Sequence, residues 1–589
     1  MRLKLIIIFI VLIVLLLLGR VYYLSISLNE HYEELSKENY IKRFYSVASR
    51  GAIKDRNGKY LAINKVGFSI TVKPHLRGVK KFRTVEEIAS LIVKYFPKLK
   101  YEKLLKRYKQ LDSPYRHEMI QLVEYIGYDE FFKHYTVFNS NENIEIKSST
   151  KREYIYKDVA AHIIGYVGKT SKRKISKDPE AKYFYQSGRT GIEKYYDKIL
   201  RGSVGYQDAQ VNSLYEIVKV LKEEKPISSD INLTIDIELQ EYIHKLFAEK
   251  SGAVIVMDVH NGEILAGGSF PEFDNNIFVN GVSHKDWKKI QEDFNHPFTN
   301  KLINGVYPPG SVMKMGVAIS FLENNLSPNF STYCTGELQL GKRKFRCWND
   351  KGHKNTGFTK AIRESCDDFF YKGSLEVGIN NIHKTLDRFG IGIKTGIDLP
   401  NESVGINPNK QWKLENRQTP WYVGETLVAS IGQGFINVTP MQIARYTGAM
   451  ATSVLQRPHI LKDDKLITSV DAEINKNHLE IIQNGMYHVS NVAGGTARNY
   501  IKSKVKVAAK TGTAQVVGIP QSEKKRMKEY ELEYFQRSQA WLTTYAPYKN
   551  PQYVVTILVE HGGHGGSAAG PMAGKIYNKL IELGYIKDN

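Results

Sequence analysis

At 589 residues the chain exceeds what a single hydrophobic core comfortably organises, so two or more domains are expected. Composition is ordinary and globular, and 83 Lys and Arg against 61 Asp and Glu leave a formal charge of +22, which favours anionic surfaces such as phospholipid headgroups or nucleic acid. The lysines are spread along the chain, with neither a nucleic-acid motif nor a basic stripe interleaved with aromatics, so no nucleic-acid partner is expected.

Leu5 to Leu18 is uninterrupted apolar sequence, and counting on through Gly19-Arg20-Val21-Tyr22-Tyr23-Leu24 supplies about the 20 residues that span a bilayer core. Arg2 and Lys4 precede it, so the positive-inside tendency puts the N-terminus in the cytoplasm and the remainder outside. Bulky Val21-Tyr22-Tyr23 offers no small-residue cleavage site, which predicts an uncleaved anchor over residues 1–24 rather than a removed signal peptide. No second span follows, so a single-pass protein is expected. Ser25 to Tyr45 is polar with helical spacing and reads as a stalk. From Val47 to about Asp230, strand-like pieces such as Phe68-Ser69-Ile70-Thr71-Val72 alternate with helical pieces around Val85 to Tyr95, Tyr101 to Gln110 and His117 to Tyr125. No catalytic constellation occurs there. Lys219 to Ser229 is charged, carries Pro226 and reads as a linker, which assigns residues 25–230 to a stalk and first domain and 231–589 to a second.

Ile231-Asn232-Leu233-Thr234-Ile235 opens that second domain. Ala253 to Asp258 and Ile264 to Gly267 read as the strands of a hairpin, joined at His260-Asn261-Gly262 with its turn-forming Asn-Gly. Next, Tyr307-Pro308-Pro309-Gly310 stops the chain before Ser311-Val312-Met313-Lys314, and the apolar-periodic run Val312 to Phe321 predicts a helix that carries Ser311 and Lys314 on one face. Ser-x-x-Lys alone is cheap: Ser148/Lys151, Ser171/Lys174, Ser503/Lys506 and Ser522/Lys525 also fit. Only Ser311 follows a helix stop and opens a periodic run. A serine hydroxyl needs a neighbour to take its proton, and a lysine can do so only as the neutral amine. Bringing a lysine from about 10.4 to roughly 7 costs about 4 to 5 kcal/mol, so such a site must be partly dry. A helix start also offers unpaired N–H groups to an acyl oxyanion. Taken alone, the motif reads equally well as a helix cap with a solvated lysine.

Two further pieces follow in order. Ser365-Cys366-Asp367 precedes Phe369-Phe370-Tyr371, and Lys510-Thr511-Gly512-Thr513 ends the strand-like Val505-Lys506-Val507-Ala508-Ala509. The runs Ala540 to Tyr545 and Tyr553 to Glu560 can pair with that strand antiparallel. Lys394-Thr395-Gly396 repeats the last motif in a turn-like setting and reads as a surface segment.

A Ser-x-x-Lys, a Ser-x-Asn-like triplet and a Lys-Thr-Gly, in that order, resemble the signature set of penicillin-recognising acyl-transfer enzymes. The chain resembles the class B penicillin-binding proteins nearly end to end, and among them the elongation type. Further matching segments are Arg50-Gly51-Ala52-Ile53 with Asp55-Arg56-Asn57-Gly58, Gly188-Arg189-Thr190-Gly191-Ile192-Glu193, Leu233-Thr234-Ile235-Asp236, Ile431-Gly432-Gln433-Gly434 with Thr439-Pro440, and Gly562-Gly563-His564-Gly565-Gly566. Asp367, where many relatives carry Asn, points to the elongation rather than the division type.

The resemblance implies an α+β multidomain protein: a membrane anchor, a non-catalytic pedestal, and a transpeptidase domain built on a five-stranded antiparallel sheet flanked by helices. It implies D,D-transpeptidation of peptidoglycan stem peptides in the inner membrane, with the catalytic domain periplasmic, inactivation by β-lactam antibiotics, and a SEDS-type (RodA-like) glycan polymerase as partner. By the same route Ser311 is the nucleophile, Lys314 its base and Ser365 a proton relay, while Lys510, Thr511, Gly512 and Thr513 bind the terminal carboxylate. Asp367, acceptor-only when ionised, could pair with a lysine. Gln539 stands where relatives often have His, so no function is carried to it. A β-lactamase, a β-lactam sensor, a division-type enzyme and a non-enzymatic wall scaffold are the alternatives.

Cys334, Cys347 and Cys366 are the only cysteines, and His353 lies among them. Cys₃His is a structural zinc set, although paired Cys-x-x-Cys spacing is absent. One disulfide plus a free thiol, or three free thiols, remain open. Some members of the resembled subfamily carry zinc between these two motifs. A metal on Cys366 would hold the loop presenting Ser365 and Asp367. His561 and His564 read as turn residues, and no redox or nucleotide cofactor is implied.

Overall fold

Residues 2–76, 79–114, 119–212, 217–279, 281–517 and 529–587 are described in a computed structural model of the chain. The N-terminal apolar run forms one helix, Arg2–Tyr22, with no buried residue along it. Together with the π-helical turn Tyr23–Ser27 it is long and apolar enough to cross a membrane. The polar segment expected as a helical stalk is helical from Asn29 to Tyr40, then becomes a strand over Ile41–Val47, where β-branched and aromatic residues take over.

Two compact units interleave along the chain. One gathers Met1–Gly51, Thr170–Tyr185 and Lys198–Ser229; the other gathers Ala52–Lys169, Gln186–Asp197 and Asp230–Asn589. In the first, Ile41–Val47 pairs antiparallel with Val204–Val211, which pairs in turn with Ile217–Glu224. The expected linker is therefore strand as far as Glu224. Ile217, Val218, Val220 and Leu221 have the side chains for a strand, and Val204–Val211 supplies an edge to bond to. Irregular chain remains only around Pro226.

In the second unit, Tyr60–Val72 pairs antiparallel with Ile120–Gly127 and with Ile144–Tyr154. Helices Val79–Tyr95 and Tyr101–Leu111 stand where the spacing placed them, and their Val85, Ile88, Ile92, Leu104 and Tyr108 share one core with Ile70 and Ile120. The piece expected as helix over His117 to Tyr125 is instead the strand Ile120–Gly127, and His117 itself lies outside the described residues. Ile120, Leu122, Val123 and Ile126 suit either period, and the edge offered by Tyr60–Val72 decides for the strand. Nearby, Arg152 Nε donates to Glu193 Oε1 at 2.7 Å with both side chains buried, tying Ile144–Tyr154 to the Gly188–Glu193 segment.

Five strands make a buried sheet: β1 (Gly252–Asp258), β2 (Ile264–Phe270), β3 (Ala508–Ala514), β4 (Gln539–Ala546) and β5 (Tyr553–Val559). Their order is β2-β1-β5-β4-β3, antiparallel throughout. The hairpin, the pairing of the three C-terminal strands and the α+β class all agree with the sequence. One boundary differs: β3 begins at Ala508 rather than Val505, so Lys510 to Thr513 lie within the strand. Successive side chains on β4 and β5 face opposite ways and all are buried, so both faces of the sheet are covered. Helices Pro440–Thr452 and Gly565–Glu582 pack on it.

The helical region carries α1 (Lys314–Glu323), α2 (Asp367–Val377) and α3 (Val423–Ser430). Helix α1 is buried from Lys314 to Leu322, as an all-round apolar helix must be. Between α1 and α2 run two small strand pairs, Ser331–Cys334 with Lys354–Gly357 and Glu337–Leu340 with Arg343–Arg346.

Candidate active site

Ser311 is not in the α-helix itself. Gly310 adopts φ +55°, and a 3₁₀ turn over Gly310–Met313 feeds the chain into α1 at Lys314. Residues three apart eclipse in such a turn, which keeps Ser311 and Lys314 on one side. The approach to the turn is pinned: Trp541 Nε1 donates to the Pro308 carbonyl at 3.0 Å, and the Tyr307 hydroxyl donates to Glu560 Oε1 at 2.7 Å. Ser311 is half-buried, and its hydroxyl makes no hydrogen bond with any described residue.

Three motifs distant in sequence meet around one oxygen. Lys314 Nζ lies 2.7 Å from Asp367 Oδ1, 2.9 Å from the Ser365 carbonyl and 3.3 Å from Ser365 Oγ. Lys510 Nζ lies 2.9 Å from the same Ser365 Oγ and 2.9 Å from the Thr511 carbonyl. Both lysines are fully buried, so the dry surroundings that the chemistry demands are present. Burial, and then the charge on Lys314, hold Lys510 well below the ordinary lysine range. Burial likewise pushes the Asp367 carboxyl up, opposed by Lys314.

Ser365 reaches its place through an unusual backbone, with φ +54°. A non-glycine residue in the left-handed region stores on the order of 1–3 kcal/mol and is common at functional sites. The conformation turns its hydroxyl between the two lysines, just before α2 begins at Asp367. Asp367 accepts a second bond at Oδ2, from the Trp348 N–H at 2.9 Å, and the Trp348 indole donates to the Glu364 and Ser365 carbonyls at 2.9 and 3.1 Å. Strand β3 lies at the edge of the sheet, so one side of its backbone is free to pair with an extended peptide. Gly512 lets β3 approach the serine turn: a Cβ there would stand 3.0 Å from the Pro309 carbonyl and 3.1 Å from Val312 Cγ1.

Sequence reasoning missed Tyr307, Glu560, Trp348 and Thr496, whose hydroxyl lies 2.7 Å from that of Thr511. Trp348, beside Cys347, and Tyr307, before Pro-Pro-Gly, carried the only local signal. The competing motifs sit elsewhere. Lys394 is exposed, and Thr395 bonds to Glu402. Ser171 caps a short helix by accepting from the Lys174 N–H. Ser522 and Lys525 lie outside the described residues. His561 packs against the Tyr534 and Phe535 rings, His564 precedes the helix Gly565–Glu582, and Gln539 Oε1 accepts from the His561 N–H.

The Cys/His set converges. The ligand atoms of Cys334, Cys347, His353 and Cys366 all lie within 4.8 Å of one another, every residue buried and every cysteine free. Pairing of Ser331–Cys334 with Lys354–Gly357 sets Cys334 beside His353, while Cys366 is the residue before α2. His353 Nδ1 faces the sulfurs, 3.4 Å from Cys347 and 3.7 Å from Cys334. Hydrogen bonds from Cys347 and Cys366 lower the Cys334 thiol, and the same neighbouring thiols push Cys366 up. Three thiols and an imidazole, all buried with their ligand atoms within 4.8 Å, are a donor set that suits tetrahedral zinc. The Asp367 N–H also donates to Cys347 Sγ at 3.3 Å, joining this cluster to the lysine site.

The family model for the penicillin binding protein transpeptidase domain matches residues 252–582, and that for the penicillin-binding protein dimerisation domain matches 45–232. Peptidoglycan D,D-transpeptidase MrdA of Haemophilus influenzae is 32% identical over 96% of this chain and 89% of its own length. The Escherichia coli K12 protein of that name is 32% identical over 97% of this chain and 92% of its own. Among solved structures, the penicillin-binding protein PBP2 of Helicobacter pylori, in complex with MreC, matches 93% of this chain and 99% of that one at 41% identity and a TM-score of 0.86.

Proposed function

We propose that this chain, which belongs to the penicillin-binding protein 2 (MrdA) family, cross-links peptidoglycan stem peptides by serine acyl transfer during cell elongation. The observation that carries the reading is the meeting of Lys314 and Lys510 at Ser365 Oγ, beside the unengaged hydroxyl of Ser311.

Ser311 Oγ attacks the carbonyl carbon of the D-Ala-D-Ala bond and its proton passes to Lys314, which Asp367 holds in place. The new C–O bond gives a tetrahedral oxyanion, and its collapse breaks the C–N bond. The departing D-Ala amine takes a proton through Ser365, and the terminal carboxylate rests on Lys510, Thr511 and Thr513. Backbone N–H groups of Ser311 and Thr513 serve the oxyanion, a role in which one donor is worth about 3–4 kcal/mol. An amine from a neighbouring stem then attacks the ester, forms the cross-linking amide and returns the proton to Ser311. Proton transfers of this kind contribute roughly 10²–10⁴-fold each. A β-lactam enters by the first step and stays. Full-length protein treated with benzylpenicillin should gain the mass of one penicilloyl group, lost in Ser311→Ala; no mass gain at Ser311 in the parent protein refutes the enzymatic reading.

Residues 1–24 would anchor the protein in the inner membrane with the catalytic domain outside, consistent with Arg2 and Lys4 before the apolar helix. A RodA-like polymerase and an MreC-type protein are the proposed partners, the latter because the Helicobacter pylori relative is solved with MreC. Zinc on Cys334, Cys347, His353 and Cys366 would supply a closed structural centre that fixes the backbone around Ser365 and Asp367. Metal analysis should return one zinc per chain in the parent protein and none in Cys366→Ser, with penicillin labelling slowed in the variant. Full acylation of protein containing no zinc rejects the site.

A further inference from the structure

A cavity of about 500 Å³ lies between the strand pair Glu337–Leu340/Arg343–Arg346 and α3. Phe345, Tyr422, Val428 and Phe435 form its apolar walls, and Arg343 and Glu425 are its charged members. The two charges are not equivalent. Glu425 is engaged within the protein, by Lys413 Nζ at 2.5 Å and the Tyr422 N–H at 2.8 Å. Arg343 is exposed, its guanidinium lies 5.2 Å from the Phe345 ring centre, and it makes no ion pair with any described residue. The cavity is thus an aromatic trough with one uncompensated cation, of a size that takes a small ligand or peptide segment.

Both walls are continuous along the chain with residues that bond to the reactive centre. Beyond Arg346 the chain enters Cys347, whose sulfur accepts the Asp367 N–H. Gly434 and Phe435 closely follow Gly432, whose carbonyl accepts the Gly310 N–H at 2.8 Å, immediately before Ser311. A peptide acylating Ser311 therefore has this trough within its reach.

Resting on the transpeptidase reading, we propose that the cavity holds a part of the stem peptide remote from the scissile bond, with Arg343 pairing to a second, internal carboxylate of the peptide. The terminal carboxylate is already assigned to Lys510, Thr511 and Thr513, so the group that meets Arg343 is a different one. The aromatic walls take the aliphatic portion between them, and a fork-to-carboxylate contact supplies the selectivity.

The test uses full-length protein and synthetic peptides ending in D-Ala-D-Ala whose internal side-chain carboxylate is either free or amidated. Acyl-enzyme formation is followed by mass. The parent should prefer the free acid by about tenfold, expressed in the concentration dependence rather than the limiting rate. Arg343→Gln should acylate both peptides equally, and Arg343→Glu should favour the amide. Benzylpenicillin lacks the internal carboxylate and should acylate parent and variants alike. Discrimination that is absent in the parent, or that persists in Arg343→Gln, overturns the subsite. Failure of the parent to take up benzylpenicillin is a different result: it overturns the serine mechanism, and the subsite with it.

Discussion

Replacing Gly512 by alanine places a methyl group where the structure has no room. The new carbon would stand 3.0 Å from the Pro309 carbonyl oxygen, 3.0 Å from Trp541 Cβ and 3.1 Å from Val312 Cγ1. Gly512 is paired with Trp541 in regular β3–β4 register, so the alanine backbone is not itself strained. The penalty is steric. These contacts are tighter than ordinary van der Waals distances and must each open by roughly a few tenths of an ångström, and two of the three lie on the turn that carries Ser311. Overpacking of this kind costs about 1–3 kcal/mol. The simplest relief moves β3 away from that turn, which separates Lys510 and Thr513 from the nucleophile. A penalty of that size on the transition state slows acylation roughly 5- to 150-fold. The assay is the second-order rate of labelling by a fluorescent penicillin, with thermal unfolding measured in parallel. A Gly512→Ala protein that labels within twofold of the parent and melts at the same temperature refutes the argument.

Two further outcomes concern the fold. Glu193→Gln removes the charge that compensates buried Arg152 and should cost about 3–5 kcal/mol, seen as a lower denaturant midpoint; Arg152→Met with Glu193→Met should cost less than the two single changes summed, and strict additivity would count against the pair. His162 is buried, and burial followed by the charge on Lys301 lowers its pKa from 6.5 to about 4. The folded protein therefore keeps His162 neutral while the unfolded chain takes up its proton first. The stability from this group is complete above pH 6.5 and is lost, to about 3 kcal/mol, as pH falls to 4. His162→Gln should flatten the melting temperature across that window, and an acid-side slope as steep as the parent's contradicts it.

Much of the site could be read along the chain because its chemistry depends on short-range order. A Pro-Pro-Gly stop, a periodic helix and three motifs in sequence singled out Ser311, Lys314, Ser365, Asp367 and Lys510, and the structure brings the last four together. What the chain did not disclose is who meets whom. Asp367 takes Lys314 rather than Lys510, and Ser365 serves two lysines at once. Thr496 joins from a segment with no motif of its own, and Trp348 from beside the candidate metal ligand Cys347. The misread elements, Ile120–Gly127 and Ile217–Glu224, share one cause: their apolar spacing suits more than one local structure, and a neighbouring strand edge settles the choice.

By itself the sequence determined the membrane-length helix and the β1–β2 hairpin, which follow from local composition and spacing, and its motif order carried the family resemblance that implied the α+β class and the reactive groups. Only the tertiary structure decided the left-handed turn at Ser365, the gathering of three cysteines and a histidine within 4.8 Å, and the trough at Arg343. The cysteines and His353 fall within 33 consecutive residues, yet only the folding of the two small strand pairs between α1 and α2 brings their ligand atoms together, while the trough needs α3 as its second wall. Spacing along the chain does not fix such meetings, because they depend on how strands and helices pack against one another.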